Sequence, residues 1–396
     1  MVRKMVVDDK HKPKLLIFAQ WYTPGYKAGG PIRSVQNLVD LLKNDFQIFV
    51  FSADRDHGDD KPYKDVIVND WLHKTGHSVF YADKVHLTLS FLKQMIGDIN
   101  PDAVFLNSMF AYRFFLLPLL ALRQIKFKGK IILSPRGMLR SSALQFKKFK
   151  KSIFLSILKN TNLLNGIEYQ ATNEDEAIEI QSILKASPEK VHIMDNVPYA
   201  GGVDTPVIKI SGKLNLIFLG RIHPIKGLDF VLDLLRDAKE KINLDIVGTI
   251  ENHDYFAKCQ AKIKSLPSNV SVILQEDIPF EQAIENLYKN HFLISPTQGE
   301  NFGHAIFESL ALGRPVIISD QTPWRNLEEK KIGWDIALSD ISKFKYAISE
   351  AASLDQQQFD EYAKNAREFA RHYILSSNLK EKYTSLFTTN TRASQT

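Results

Sequence analysis

Cysteine is nearly absent from this 396-residue chain: Cys259 is its single one, so no disulfide can form within it, and a reducing compartment fits. Long apolar runs are lacking too. The longest notable one, Phe114–Leu122, is interrupted by Pro118 and falls far short of the roughly 20 residues that span a bilayer. The opening segment MVRKMVVDDKHKPK has no apolar core of the kind a secretory signal needs. The expected location is therefore cytoplasmic. Neither a G-x-G-x-x-G nor a Walker A pattern occurs, which speaks against dinucleotide and NTPase sites. The histidines show no close zinc spacing. No helix-turn-helix, RNA-recognition or zinc-finger pattern points to nucleic acid as a partner. One absence is local. From Ala103 to Ile167 there is no acidic residue, while Arg113 to Lys159 holds twelve basic ones. Such a one-signed field faces an anionic partner more often than plain solvent.

What is present suits a globular α/β protein. The length fits two domains of about 150–200 residues each, and 44% hydrophobic with 24% charged residues is ordinary for such a chain. The net charge of +6 is unevenly shared. Residues 1–197 hold 28 basic and 20 acidic side chains, so the excess lies in the first half.

Short apolar runs alternate with helical patterns, as in parallel α/β architecture. Lys14–Gln20, Gln47–Ser52, Ala103–Asn107, Lys130–Ser134 and Gly166–Ala171 read as strands, with helices at Ile32–Lys43 and Glu174–Leu184. The segment Pro198–Lys213 breaks the pattern with Pro and Gly and reads as a linker. The alternation then restarts. Leu214–Leu219, Asn243–Val247, Val270–Leu274, Phe292–Ser295 and Val316–Ser319 are predicted strands, and Gly227–Ala238, Asp254–Ser265 and Phe302–Leu312 predicted helices. A polar helical tail covers roughly residues 355–387. This organisation divides the chain into residues 1–197, residues 198–375 and a tail, 376–396. Two such α/β domains imply a ligand cleft near the carboxyl ends of their strands.

Six segments carry chemistry. In SPTQGENFGHAIFESLALGRPVIISD a strand runs into a loop and then a helix. Free N–H groups at the helix start, around Asn301, Phe302 and Gly303, attract anions, and Gly303 permits close approach. Glu300 lies at the loop tip and Glu308 about two turns on, so both can reach one elongated ligand. Two carboxylates accept well from sugar hydroxyls. A cap neighbour and a surface charge are the plainer interpretation. His304 adjoins Gly303 and can reach the same ligand or serve structure alone. In LGRIHPIKG, Arg221 and Lys226 follow a strand, where two cations can neutralise a departing diphosphate as a metal otherwise would. Solvated loop cations are the alternative. In TPGYKAGGPIR, Gly29 and Gly30 precede a helix and suit backbone contact with phosphate or sugar, although turns use glycine constantly. In LSPRGML, Arg136 follows a strand and could hold a phosphate or an acceptor, or simply shape a turn.

Two segments are more ambiguous. Asp54-Arg55-Asp56 has the form of an acidic triplet that binds a divalent metal, but it stands far in sequence from the motifs around Arg221 and Glu300, and no metal site is assigned. In ALQFKKFKKSIFLSIL, Phe146, Phe149, Ile153 and Ile157 recur at helical spacing beside Lys147, Lys148, Lys150 and Lys151. That pattern can lie in an anionic membrane surface or pack as an ordinary core helix with a basic face.

The arrangement of Gly299, Glu300, Phe302, Gly303 and Glu308, followed by Ala311, Gly313, Pro315 and Val316, resembles the C-terminal half of the family-four retaining glycosyltransferases. The Gly-Arg…Lys-Gly pattern at Arg221 and Lys226 and the glycine loop at Gly29-Gly30 are similar as well. The resemblance implies the GT-B architecture, two Rossmann-like domains facing each other across a cleft. The acceptor would bind the first domain, the nucleotide sugar the second, and the tail would pack back on the first. It implies a retaining, metal-independent glycosyltransferase using a UDP- or GDP-linked sugar and no cofactor. Glu300 would orient the sugar, Glu308 the ribose, and Arg221 and Lys226 the leaving diphosphate. Where many relatives present a histidine on the acceptor side, this chain has Ser134-Pro135-Arg136-Gly137. With GENFGHA and SDQTPWRNL, that variant resembles bacterial enzymes of surface polysaccharide and lipopolysaccharide synthesis. The implied acceptor is a glycan or a polyprenyl-diphosphate-linked sugar, reached peripherally at the inner face of the membrane through the basic 113–159 region. A nucleotide-sugar epimerase of the same fold and a non-catalytic nucleotide-sugar-binding protein are the competing functions.

Overall fold

The computed structural model describes residues 12–140, 144, 148–199, 201 and 205–388. The chain forms two compact units. Unit 1 comprises Met1–Thr23, Ser34–Val197 and Leu379–Thr396, and unit 2 comprises Pro24–Arg33 and Pro198–Asn378.

Unit 1 is built on an eight-stranded sheet in the order β3-β4-β2-β1-β5-β6-β7-β8. Its strands are β1 (Lys14–Ala19), β2 (Gln47–Ala53), β3 (Trp71–Lys74), β4 (His77–Ala82), β5 (Ala103–Asn107), β6 (Lys130–Ser134), β7 (Ile167–Ala171) and β8 (Val191–Ile193). All pairings are parallel except β3 with β4. The central strands read as continuous apolar runs because helices cover both faces: β5 is buried at every position. The helices are α1 (Gly30–Leu42), α2 (Leu89–Ile99), α3 (Leu117–Gln124), α4 (Lys148–Asn160) and α5 (Glu174–Leu184). Local chemistry sets their ends. Thr88 Oγ1 accepts from the Phe91 N–H ahead of α2, and Asn100 closes that helix in the left-handed region. The α5 start combines the Asn173 cap with three acids in the first turn, which complement the helix dipole.

Unit 2 carries a six-stranded parallel sheet, β11-β10-β9-β12-β13-β14. Its strands are β9 (Lys213–Leu219), β10 (Lys241–Val247), β11 (Val270–Gln275), β12 (Phe292–Ser295), β13 (Val316–Ser319) and β14 (Gly333–Ile336). The surrounding helices are α6 (Leu228–Leu235), α7 (His253–Lys264), α8 (Phe280–Lys289), α9 (His304–Ala311), α10 (Ile341–Ser353) and α11 (Gln356–Ser376). A capping box between Asp355 and Gln358 starts α11.

The tail is two helices rather than one. Asn378 turns with a φ of 50°, and α12 (Leu379–Phe387) follows. Leu379, Tyr383, Leu386 and Phe387 join the core around Leu15, Ile17 and Phe46 of unit 1. Tyr383 Oη donates to the Asp195 carbonyl at 3.0 Å. These buried residues recur at helical spacing, so a mostly polar segment still has one face to dock.

Each sheet has one place where the strand order reverses. In unit 1 the chain runs outward from β1 through β2 and β4, then returns to β5 on the other side of β1. In unit 2 it runs from β9 through β10 and β11, then returns to β12 beside β9. Loops leaving the carboxyl ends of such strand pairs diverge and leave a crevice for ligands.

Candidate active site

The loops predicted to carry chemistry in unit 2 leave this switch point. The segment 220–227 follows β9 and the segment 296–303 follows β12. They are stitched together. The Gln298 N–H donates to the Ile225 carbonyl at 2.8 Å, and Thr297 Oγ1 donates to the same oxygen at 3.2 Å. Gly227 makes the approach feasible: its φ is 74°, and a Cβ there would come within 2.5 Å of the Pro296 carbonyl oxygen. As a result Lys226 Nζ reaches the Glu300 carboxylate in a direct ion pair, both side chains being largely shielded from solvent. The Glu300 N–H donates to the Gln321 carbonyl at 3.0 Å, which holds the loop tip.

Gly303 takes a φ of 76° as the residue before α9, and no side chain caps that helix. The first α9 amides therefore have no acceptor within the helix and suit an anionic group. Phe302 is only 5% exposed and packs against Trp324, at 5.2 Å between rings, and Phe307. Trp324 Nε1 donates to the Phe302 carbonyl at 2.6 Å. The Phe302 ring thus anchors the loop in the core, and Asn301 is half-buried beside it.

Glu308 is 4% exposed. Its carboxylate faces Arg33, with Nε at 3.4 Å. Burial pushes the Glu308 carboxyl above the usual range, and Arg33 opposes the shift. The Arg33 guanidinium lies over the Phe280 ring, 3.2 Å from its centroid, and within 5.8 Å of the Tyr199 ring. Arg33 is a site residue that sequence reading missed. The available signal was its position three residues after Gly30, on the same face of α1. Gly30 itself lies against His304, whose Cδ2 would stand 3.6 Å from an added Cβ. Gly29 turns with a φ of 64° just ahead of α1.

Two candidates lie outside this cluster of contacts. Arg221 pairs with Glu251 at 2.6 Å rather than with Glu300, and its side chain is 41% exposed. Arg136 belongs to unit 1, in the left-handed region with a φ of 56°. Its Nε donates to Asn107 Oδ1 at 2.7 Å and its Nη1 to Asn196 Oδ1. Burial pushes its pKa down. Behind it, the buried Glu176 accepts from the Gly137 N–H at 2.6 Å and from Thr172. Arg136 therefore ties three strand-end loops together. Among the described residues, no group of three or more His, Cys, Asp or Glu side chains could hold a metal ion. Asp54 is instead clasped by Arg55, Nε to Oδ1 at 2.8 Å and Nη2 to Oδ2 at 3.0 Å.

Two α/β units, each built on a largely parallel sheet with one switch point, give the chain the GT-B fold. Known structures share this fold. HepE from Anabaena, solved in complex with UDP and glucose, superposes with a TM-score of 0.63 at 14% identity, covering 94% of this chain and 99% of that one. WaaG, described as a glycosyltransferase involved in lipopolysaccharide biosynthesis, gives a TM-score of 0.56 at 15% identity over 95% and 99% of the two chains. In sequence, an uncharacterized glycosyltransferase of Methanocaldococcus jannaschii, MJ1178, is 25% identical over 295 residues, 73% of this chain and 74% of that protein. Residues 206–371 match the family model for glycosyl transferases group 1, so unit 2 carries a domain of that family.

Proposed function

We propose that this chain is a retaining, metal-independent glycosyltransferase. It would move a sugar from a UDP- or GDP-linked donor to a hydroxyl of a glycan or lipid-linked acceptor in bacterial polysaccharide or lipopolysaccharide synthesis. The observation that carries the reading is the direct Lys226–Glu300 pair at the β9/β12 switch point. It puts a cation and a sugar-suited acceptor side by side where the topology opens a crevice. In the reaction, the bond from the sugar's anomeric carbon to the diphosphate oxygen breaks and the acceptor oxygen bonds to that carbon. The acceptor's proton leaves with the diphosphate. Lys226, with Arg221 turning inward from Glu251, would neutralise the leaving diphosphate without a metal. The α9 amides and the Gly29-Gly30 turn would add donors. Glu300 would orient the sugar and Glu308 the ribose. HepE's complex with UDP and glucose supports a nucleotide-sugar donor. Arg136, in the loop after β6 of unit 1, would bind the acceptor or a phosphate on it. No cofactor is invoked.

The membrane proposal rests on α4. Phe149, Ile153 and Ile157 are 78%, 46% and 54% exposed, while Leu155 and Leu158 point into the core. An outward apolar stripe flanked by the exposed Lys150 and Lys159 suits a peripheral position on the anionic inner face of a cell membrane. Phe146 and Lys147 lie outside the described residues. No described helix is long and apolar enough to cross a membrane.

The test is a transfer assay with UDP- and GDP-sugars and a lipid-linked oligosaccharide fraction. Glu300→Gln and Lys226→Ala should each lower the rate by about 10²-fold with the fold intact, and EDTA should change nothing. Unchanged rates in both variants refute the site assignment. Loss of activity in EDTA refutes metal independence.

A further inference from the structure

Three cations stand around the donor loops of unit 2, and each holds a carboxylate of this chain. Lys226 pairs with Glu300, Arg221 with Glu251 and Arg33 with Glu308. The carboxylates differ in what the transfer reaction offers them. Glu308 would meet the ribose, which the donor and the leaving nucleoside diphosphate both carry. Glu251 has no assigned contact with the donor. Glu300 would meet the sugar, which the donor carries and the leaving group does not. Its hold on Lys226 therefore changes in the course of the reaction.

The loops allow that hold to be broken and renewed locally. The Lys226 N–H donates to the His223 carbonyl at 2.9 Å, and the adjoining Ile225 carbonyl accepts from Gln298 and Thr297 across the crevice. The Glu300 N–H is held by the Gln321 carbonyl. With both backbones tied, parting and re-forming the pair takes only rotations about side-chain bonds. The two side chains are 18% and 20% exposed, so water screens their charges weakly.

Charge makes product release difficult at a cationic site. In the donor, the bond to the sugar masks one oxygen of the terminal phosphate. That bond breaks on transfer, and the acceptor's proton passes through the leaving group to solvent. The terminal phosphate then carries a second charge, its second pKa being about 6. An ammonium alone would hold this product more tightly than the donor. A carboxylate beside the ammonium opposes that. While the sugar is bound, its hydroxyls donate to Glu300 and draw it off Lys226, which leaves the ammonium to the diphosphate. Once the sugar has gone to the acceptor, Glu300 loses those donors. It turns back to Lys226 and repels the diphosphate.

We infer that Glu300 is a product-release group as well as a sugar contact, competing with the leaving nucleoside diphosphate for Lys226. Resting on the glycosyl-transfer reading, this role gives the same site a means of letting its product go.

Calorimetric titration of the full chain with UDP and GDP tests it. Glu300→Gln should lower transfer yet tighten the diphosphate about fivefold or more. Damage to the fold lowers affinity, so a gain is its own control, and Glu300→Ala should show the same gain. Lys226→Ala should weaken diphosphate binding, and adding Glu300→Gln to it should return no gain, since the pair is already broken. Diphosphate affinity that is unchanged or lower in both Glu300 variants overturns the inference and leaves the donor reading standing. A gain that survives in the Lys226→Ala background also overturns it, because the carboxylate would then act on the diphosphate without the pair. If neither diphosphate binds the wild type or any variant, the donor reading falls and this role falls with it.

Discussion

Acidification should loosen unit 2 through a single buried histidine. His291 precedes β12 and is 2% exposed. Its Nδ1 accepts from the Asn215 N–H at 2.9 Å at the start of β9, and its Nε2 faces the Ile208 carbonyl at 3.0 Å. Both contacts are satisfied only by the neutral ring with its proton on Nε2. A second proton on Nδ1 would confront the Asn215 N–H. Burial accordingly pushes the His291 pKa from 6.5 down to about 4. The sign follows directly. Between pH 6.5 and about 4 the unfolded chain binds a proton here and the folded one does not, so stability falls as pH falls through that window. Above pH 6.5 both forms are neutral and the contribution is complete. At about 1.4 kcal/mol per pH unit, the gap amounts to roughly 3 kcal/mol by pH 4. Urea titrations at fixed ionic strength, read by pulsed hydrogen exchange on peptides covering β9 and β12, measure it. His291→Gln should be less stable at neutral pH but should lose most of the slope between pH 4 and 6.5. Parallel slopes in the two proteins would refute the reasoning.

Two further predictions concern the donor loops and the basic helix. Gly227→Ala forces a Cβ toward the Pro296 carbonyl from a left-handed backbone. It should cost about 1 kcal/mol or more in stability and, by displacing Lys226 from Glu300, about 10²-fold in transfer rate. A wild-type rate with a wild-type melting temperature would refute the role given to that close approach. Sedimentation with vesicles rich in phosphatidylglycerol should capture the chain, and Lys150→Gln with Lys159→Gln should weaken capture by about 1 kcal/mol per lysine, roughly fivefold each. Adding Ile153→Ser and Ile157→Ser should abolish it. Equal capture of wild type and the fourfold variant, or none by the wild type, would remove the membrane reading.

Most of the fold was legible because parallel strands buried on both faces announce themselves as apolar runs. β5, β6, β12 and β13 occupy the residues predicted for them, and β1, β2, β7, β9, β10 and β11 differ by one or two residues at an end. The hairpin β3–β4 was not legible, since an edge strand such as Trp71–Lys74 is half exposed and lacks a continuous apolar pattern. Helix α6 stops at Leu235, three residues before its predicted end. The break at Asn378 was hidden in a tail whose polarity reads as one helix. The exposure of Phe149, Ile153 and Ile157 was equally undecided, because helical spacing marks a stripe without saying what covers it.

The sequence by itself determined where the chain alternates, where it links, that Glu300, Arg221 and Lys226 stand in loops after strands, and that Glu308 stands on the helix that follows one. Those are local properties, set by periodicity and turn chemistry over a few residues. Tertiary structure alone decided the partners. Lys226 meets Glu300 from 74 positions away, Arg33 meets Glu308 from 275, and Arg221 is held at Glu251. Which side chains share a crevice depends on strand order and on how closely two backbones can approach, and neither is written in any short stretch of residues.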